Sequence, residues 1–198
     1  MATNIAAIIL AAGQSTRMGA QNKLLLPLDH APLIMRVVNA AAQAQLQTII
    51  VVTGHEADAV AQATQGLAVR CVHNPDFASG MASSLRCGLQ TLVGNNHAFD
   101  GAIILLGDMP LISGTDITKL LTAFNSHDQI VAPYYQGRRG NPVLWGRDYF
   151  AEIEQLSGDS GAKVLLSRHA HNIIKVPVDH SGIFADIDSP EAYAELTL

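Results

Sequence analysis

The sequence predicts an open α/β fold: a mostly parallel sheet with helices on both faces and a small, less regular lobe. Three observations predict it. Short β-branched or aliphatic runs recur through the first half, segments of helical spacing separate them, and glycine or polar clusters mark the joins. Ile5 to Leu10, Thr48 to Thr53, Val69 to His73 and Ala102 to Leu106 are continuous apolar runs, the pattern of strands covered on both faces. Between them Leu33, Val37, Ala40, Ala41 and Ala44 share a helix face, as do Ala57, Val60 and Ala61, then Leu85, Leu89 and Leu92. This alternation implies crossover connections, with ligands beyond the carboxyl ends of the strands.

After Leu106 a helix is expected over about 115–125, capped by Ser113 or Thr115. Gln129 to Pro133 and Asn141 to Trp145 read as strands around a turn-rich stretch, Gln136 to Gly140. Helices are expected over Tyr149 to Leu156 and Gly161 to Arg168, and a further strand over Ile173 to Val176. Ser189-Pro190-Glu191 opens a terminal helix with a cap and a first-position proline. The stretch of about 130–170 is the candidate lobe.

The chain has 198 residues, with 12 Lys and Arg against 17 Asp and Glu, for a formal charge of −5. An acidic balance argues against a nucleic-acid binder, which gathers basic patches. With 48% hydrophobic and 15% charged residues, one folded domain over 1–198 is the expectation. The apolar run Ile5 to Ala12 falls well short of the roughly 20 residues a membrane span needs. The start of the chain lacks the basic residues of a secretory signal. Cys71 and Cys87 are therefore expected as buried small hydrophobes in a reducing cytoplasm. Eight histidines are present, and His169-Ala170-His171 is the tightest pair, without further ligands nearby in sequence to make a zinc site.

The strongest chemical signal follows the first strand, Leu10-Ala11-Ala12-Gly13-Gln14-Ser15-Thr16-Arg17-Met18-Gly19 and then Lys23. Small residues at a strand end let backbone N–H groups approach an anion, and Arg17 and Lys23 supply the charge a triphosphate requires. No Gly-Lys-Ser/Thr closes the loop and the glycine spacing is not that of a dinucleotide fold, so neither standard phosphate motif applies. Asp108, in Gly107-Asp108-Met109-Pro110, ends a strongly apolar strand, where a magnesium carboxylate belongs. Arg138-Arg139-Gly140-Asn141-Pro142 offers two arginines to a phosphorylated second substrate, although a solvated turn explains Arg138 equally well.

These motifs, in this order, resemble the nucleotidyltransferase family that includes molybdenum cofactor guanylyl- and cytidylyltransferases. Asn74-Pro75 with Gly80-Met81-Ala82-Ser83-Ser84-Leu85 and Gly88-Leu89 is similar to the MocA-like cytidylyltransferase branch. So are Gly158-Asp159-Ser160-Gly161-Ala162 and Asp186-Ile187-Asp188-Ser189-Pro190. The resemblance implies a Rossmann-like sheet of the nucleotide-diphospho-sugar transferase type. It implies Mg²⁺-dependent transfer of CMP from CTP to the phosphate of molybdenum-bearing molybdopterin, with release of pyrophosphate. Arg17 and Lys23 would stabilise the triphosphate; Ala11, Ala12, Gly13, Ser15, Gly80 and Ser84 would bind the nucleotide. Asp108 and, from a late strand, Asp186 would hold the metal, with Asp188, two residues along and facing the same way, as the alternative second ligand, and Arg139, Gly140 and Asn141 would bind the acceptor. Trp145 and the Tyr134-Tyr135 pair are either core or a support for the pterin ring. Competing readings are the same chemistry with another nucleotide or acceptor, and a non-catalytic chaperone delivering the finished cofactor to a molybdoenzyme. Some relatives of this branch are labelled oxidoreductases acting on a nicotine-derived pigment, but no dinucleotide fingerprint accompanies that reading here.

Overall fold

Alternate residues of the first strand, β1 (Ile5–Ala11), face opposite sides of one sheet, and both faces are buried. Ala7, Ile9 and Ala11 point into one apolar cluster, Ala6 and Ile8 into the other. A computed structural model of the chain describes residues 3–19, 21–94, 99–159 and 161–197. In it the small strands β2 (Pro27–Leu28) and β3 (Ala31–Pro32) form a separate hairpin ahead of α1 (Leu33–Gln43). Then come β4 (Thr48–Thr53), α2 (Ala57–Ala63), β5 (Arg70–His73), α3 (Met81–Val93), β6 (Gly101–Leu106) and α4 (Gly114–Ala123). The second half adds β7 (Ile130–Tyr135), β8 (Arg138–Arg139), β9 (Val143–Gly146), α5 (Phe150–Glu154), α6 (Lys163–Arg168), β10 (Ile173–Pro177) and α7 (Pro190–Thr197). Among the described residues no helix is long and apolar enough to cross a membrane.

The main sheet has eight strands in the order β10-β7-β9-β6-β1-β4-β5, with β8 paired to β7. β1 is parallel to β4 and β6, β4 to β5, and β7 to β10. Only β9 on that path runs against its neighbours β6 and β7. The segment expected as a lobe thus contributes strands to the same sheet, and its irregular part is confined to the β7–β8 hairpin and the turns around α5 and α6. Helix α1 covers one face with Leu33, Ile34, Val37, Val38, Ala40 and Ala41, while α3 covers the other with Leu85, Leu89 and Leu92. α3 rides so close to β1 that a Cβ on Gly88 would stand 2.5 Å from Ile8 Cγ2.

Two expectations are corrected. Cys71 is exposed and Cys87 only half-buried, because β5 is the sheet's edge strand and leaves one flank uncovered. Asp186 and Asp188 lie in an irregular connection between the 3-10 turn Ser181–Phe184 and α7, not on a strand. Their backbone is nonetheless alternating: Ile187 is 1% exposed between them, so both carboxylates face the opposite side.

That C-terminal limb is anchored by a polar knot. Ser113 caps α4, its hydroxyl accepting from Asp116 N, while Asp116 Oδ2 accepts from Ser113 N and Oγ at 3.0 and 2.6 Å. Asp116 Oδ1 pairs with His180 Nε2 at 3.0 Å, one residue before the limb's 3-10 turn. Burial alone would raise the Asp116 pKa, but the hydrogen bonds from Ser113 and the pairing with His180 outweigh it, and the carboxyl is held below its ordinary range. A depressed folded pKa stabilises the fold above the unfolded value and loses that contribution as pH falls through the folded value. Asp116→Asn is therefore expected to cost about 1–3 kcal/mol in urea unfolding at pH 7, with a gap to the wild type that narrows at pH 3. An equal gap at both pH values would assign the loss to packing alone.

Candidate active site

The carboxyl ends of β1 and β6 stand side by side, with Leu10 opposite Leu106, and the loops that leave them carry the charged residues. After β1 the chain turns through Ser15 in the left-handed region (φ 52°) into the 3-10 turn Thr16–Met18. Ser15 Oγ accepts from Lys23 N at 3.2 Å, closing the loop on itself. Asn22, 5% exposed, caps the next turn, Lys23–Leu25, by accepting from Leu24 N. The backbone at Lys23 is thereby fixed, and its side chain reaches back toward β6.

There Lys23 Nζ lies 2.5 Å from Asp108 Oδ2 and 2.5 Å from Asp188 Oδ1. Arg17 Nη1 holds the other oxygen of Asp188 at 3.3 Å from a position open to solvent. Lys23 is mostly buried; burial pulls its pKa down, but attraction to Asp108 and then to Asp188 wins, and its pKa is raised. Asp188 is held below its ordinary range by the hydrogen bond from Lys23 first and by the charges of Lys23 and Arg17. Asp186 is pushed up, by burial and then by repulsion from Asp188 and Asp108. The limb is tied to Asp108 through its backbone as well, Ile187 N donating to Asp108 O at 3.0 Å.

The polar chemistry of this cluster suits a divalent cation. Asp108 Oδ1 is buried with no hydrogen-bond partner, and Asp186 has no cation within ion-pair distance among the described residues. A cation held by Asp108 and Asp186 would satisfy the first and offset the repulsion on the second.

The cluster borders a cavity of about 520 Å³. Ala11, Ala12, Gly13, Gly80, Ser84, Lys23, Asp108 and Asp186 all line it, so the structure brings most of the sequence-derived site to one place. A Cβ on Gly13 would meet no protein atom within 4 Å, so the fold itself does not require glycine there. Ser15 and Arg17 stand behind this lining: Ser15 spends its hydroxyl on Lys23, and Arg17 acts through Asp188. Ser84 Oγ accepts from Asn74 Nδ2 at 3.0 Å, and Ser83 Oγ accepts from the same group at 2.8 Å, so Asn74 brackets the start of α3.

A second cavity of about 750 Å³ adjoins the first, sharing Leu10, Met81, Leu106, Asp159 and Asp186. Because β9 runs antiparallel, its leading loop, not its trailing one, arrives at this edge of the sheet. Arg139, Gly140 and Asn141 of that loop line the second cavity. Gly140 packs where a Cβ would stand 2.5 Å from Ile183 O, and Asn141 N donates to that carbonyl at 3.0 Å. Arg138 instead stacks on Phe184, its guanidinium carbon 4.6 Å from the ring centre. Trp145 serves both core and cavity: it is 1% exposed, meets Tyr149 edge-on and still reaches the lining.

Lys163 and Phe77 carry no local motif in the sequence, and Met81 stands in the Gly80–Leu85 motif without an assigned role; α6 and the α3 entrance bring them in. Asp159, in the Gly158–Ala162 motif, borders both cavities. Ser160 of the same motif lies outside the described residues. His169 faces Glu152 at 3.0 Å and the edge of Tyr149, on the far side of α5.

Residues 7–173 match the family model of the MobA-like NTP transferase domain. The chain belongs to that family. As a member of the MobA-like NTP transferase family it is a nucleotidyltransferase, and its sheet is that of the nucleotide-diphospho-sugar transferases. It is 27% identical to the molybdenum cofactor cytidylyltransferase of Escherichia coli K12, over 94% of this chain and 92% of that protein. It is 35% identical to the bifunctional protein GlmU of Pelobacter propionicus over 73% of this chain, spanning only 31% of that longer protein. Rv0371c of Mycobacterium tuberculosis H37Rv, solved in complex with manganese, superposes with a TM-score of 0.78 at 26% identity, covering 98% of each chain.

The lip of the first cavity at Gly80 offers a direct test. Gly80 has φ 108°, and a Cβ there would stand 2.5 Å from Asp159 Oδ1 and 2.6 Å from the Gly158 carbonyl carbon. Gly80→Ala is expected to lower stability by about 1–3 kcal/mol, read as a drop in thermal unfolding midpoint. Gly13→Ala, whose added methyl faces open space, is expected to leave the midpoint unchanged.

Proposed function

We propose that this nucleotidyltransferase transfers CMP from CTP to the terminal phosphate of a molybdopterin-type acceptor bearing molybdenum, releasing pyrophosphate. The observation that carries the proposal is the pair of cavities meeting at Asp186 beside the Lys23–Asp108–Asp188 cluster. Such an arrangement suits an in-line displacement, in which an acceptor phosphate oxygen bonds to the α-phosphorus as the bond to the β-phosphate oxygen breaks. The whole-length similarity to a molybdenum cofactor cytidylyltransferase supports the choice of nucleotide and acceptor.

In this mechanism the backbone of Ala11, Ala12 and Gly13 lies along the nucleotide, and Gly80 and Ser84 close the pocket around a pyrimidine. Lys23 and Arg17 offset charge developing on the triphosphate. Asp108 and Asp186 would hold Mg²⁺, which when bound screens the phosphates and favours departure of pyrophosphate. No side chain needs to form a covalent bond, so positioning and electrostatics supply the rate.

The acceptor side is supported by the make-up of the second cavity. Leu85, Ile104, Val143, Trp145 and Leu166 give it an apolar wall, while Arg139, Lys163 and Asn141 stand at its polar side. A flat ring system carrying an anion suits such a surface; a sugar, with hydroxyls on every edge, would leave them without partners against the apolar wall. Arg139 and Lys163 line the cavity without an ion pair among the described residues, whereas Arg138 lies over the Phe184 ring, and the two are placed to grip the acceptor's phosphate.

Pyrophosphate release is expected from CTP with Mg²⁺ and molybdenum-bearing molybdopterin, and not from GTP, ATP or UTP; preferential use of GTP would overturn the cytidylyl assignment. Asp108→Asn is expected to abolish turnover while the chain stays folded, and near-normal activity would remove Asp108 from the site. Lys163→Ala and Arg139→Ala are each expected to raise the KM for the acceptor about tenfold or more, the loss of one charge-assisted hydrogen bond, with the KM for CTP unchanged.

A further inference from the structure

The position between Asp108 and Asp188 is already filled by a cation of the protein's own. Lys23 Nζ touches an oxygen of each carboxylate at 2.5 Å, and its side chain is only 12% exposed. Its three N–H donors suit such a bridge. Among the described residues no group of three His, Cys, Asp or Glu side chains is arranged to hold a metal ion, although three aspartates converge on this spot and Asp108 Oδ1 is left without a partner. An ammonium on Asp108 Oδ2 opposes a divalent ion on Oδ1 of the same carboxylate, because like charges this close repel strongly in a partly buried setting.

We propose that Lys23 stands in for the divalent cation in the free protein, and that the metal site forms only when a nucleotide's phosphates draw Lys23 away from Asp108. The proposal rests on the nucleotidyl-transfer reading for the identity of the displacing ligand, and on Lys23 alone for the closed state. The fold makes this a side-chain movement. Lys23 N is fixed to Ser15 Oγ, and the neighbouring Asn22 and Leu24 are buried, so only the flexible four-carbon stem has to turn. It does not have to go far, since Lys23 itself lines the nucleotide cavity beside the loop of Ala11 to Gly13. Arg17 is placed to follow, because its partner Asp188 is the same carboxylate that Lys23 releases.

Exchange of this kind couples the two ligands. The nucleotide removes the competitor for the metal, and by linkage the metal strengthens the nucleotide by the same factor. Either ligand alone meets a site arranged against it: the metal meets an ammonium, and the triphosphate meets a lysine engaged with two carboxylates.

The test is Mn²⁺ binding, read from the electron paramagnetic resonance signal of the free ion, with full-length protein and no turnover. Without nucleotide the wild type is expected to bind Mn²⁺ weakly. Lys23→Met, and Lys23→Gln as an uncharged variant that keeps a hydrogen-bond donor, are expected to bind it at least tenfold more tightly without nucleotide. Lys23→Arg, which keeps the charge, is expected to stay as weak as the wild type. Circular dichroism and the thermal midpoint confirm which variants are folded. Unchanged or weaker Mn²⁺ binding by a folded Lys23→Met or Lys23→Gln overturns the proposal.

A second arm adds α,β-methylene-CTP or α,β-methylene-GTP, which cannot release pyrophosphate. With the CTP analogue the wild type is expected to gain Mn²⁺ affinity by a larger factor than Lys23→Met does. Equal gains in both proteins would overturn the coupling. A gain with the GTP analogue and none with the CTP analogue would overturn the cytidylyl reading, while the nucleotide-free arm still decides the role of Lys23.

Discussion

The charged cluster of Lys23, Asp108 and Asp188 is the interaction around which the site is organised. It joins three stretches far apart in the chain: the turn after β1, the end of β6 and the limb before α7. Each arrives by a different route, and the charges alone would not hold them, since partly exposed ion pairs contribute little to stability. The sheet supplies the rigid part, because β1 and β6 are hydrogen-bonded neighbours whose ends cannot drift apart. The limb depends on its own ties: Ile187 to Asp108, Asn141 to Ile183, and His180 to Asp116. A polar knot remote from any ligand thus helps to position two of the three carboxylates.

The first half of the fold was legible because strands buried on both faces leave an uninterrupted apolar signature. Thr48 to Thr53 matches β4 residue for residue, and Ser113 is the cap of α4. The second half was less legible for a physical reason. A local pattern identifies a strand but carries neither its direction nor its neighbours, so β7 and β9 were found while their insertion beside β6, with β9 reversed, was not. Edge position is equally non-local, so the apolar run around Cys71 does not disclose its exposure.

Within the site, residues on the loops directly after β1 and β6 could be read from sequence because the carboxyl edge of a parallel sheet is where ligand groups collect. The partners they choose could not. That Ser15 would close on Lys23, that Arg138 would lie on Phe184 while Arg139 faces the cavity, and that Lys163 would enter from α6 are outcomes of packing between distant segments. The alternation around Ile187 did indicate that Asp186 and Asp188 share a side, but only the structure shows that Asp188 is the one held by Lys23 and Arg17.

The reversed strand β9 divides the molecule into two kinds of architecture. On one side of it the loops after β1 and β6 and the entrance to α3 reach the first cavity, and β1 and β6 are each braced by strands on both flanks. On the other side a hairpin, a short helix and the loop entering β9 face the second cavity, and this half meets the first along the β6–β9 pair and against α3 and α4. Insertions or exchanges in that hairpin and helix would leave the β1–β6 framework undisturbed. The reversed strand thus sets the β1–β6 framework on one side and the Arg139 loop and the Lys163 helix on the other, two parts that can change independently.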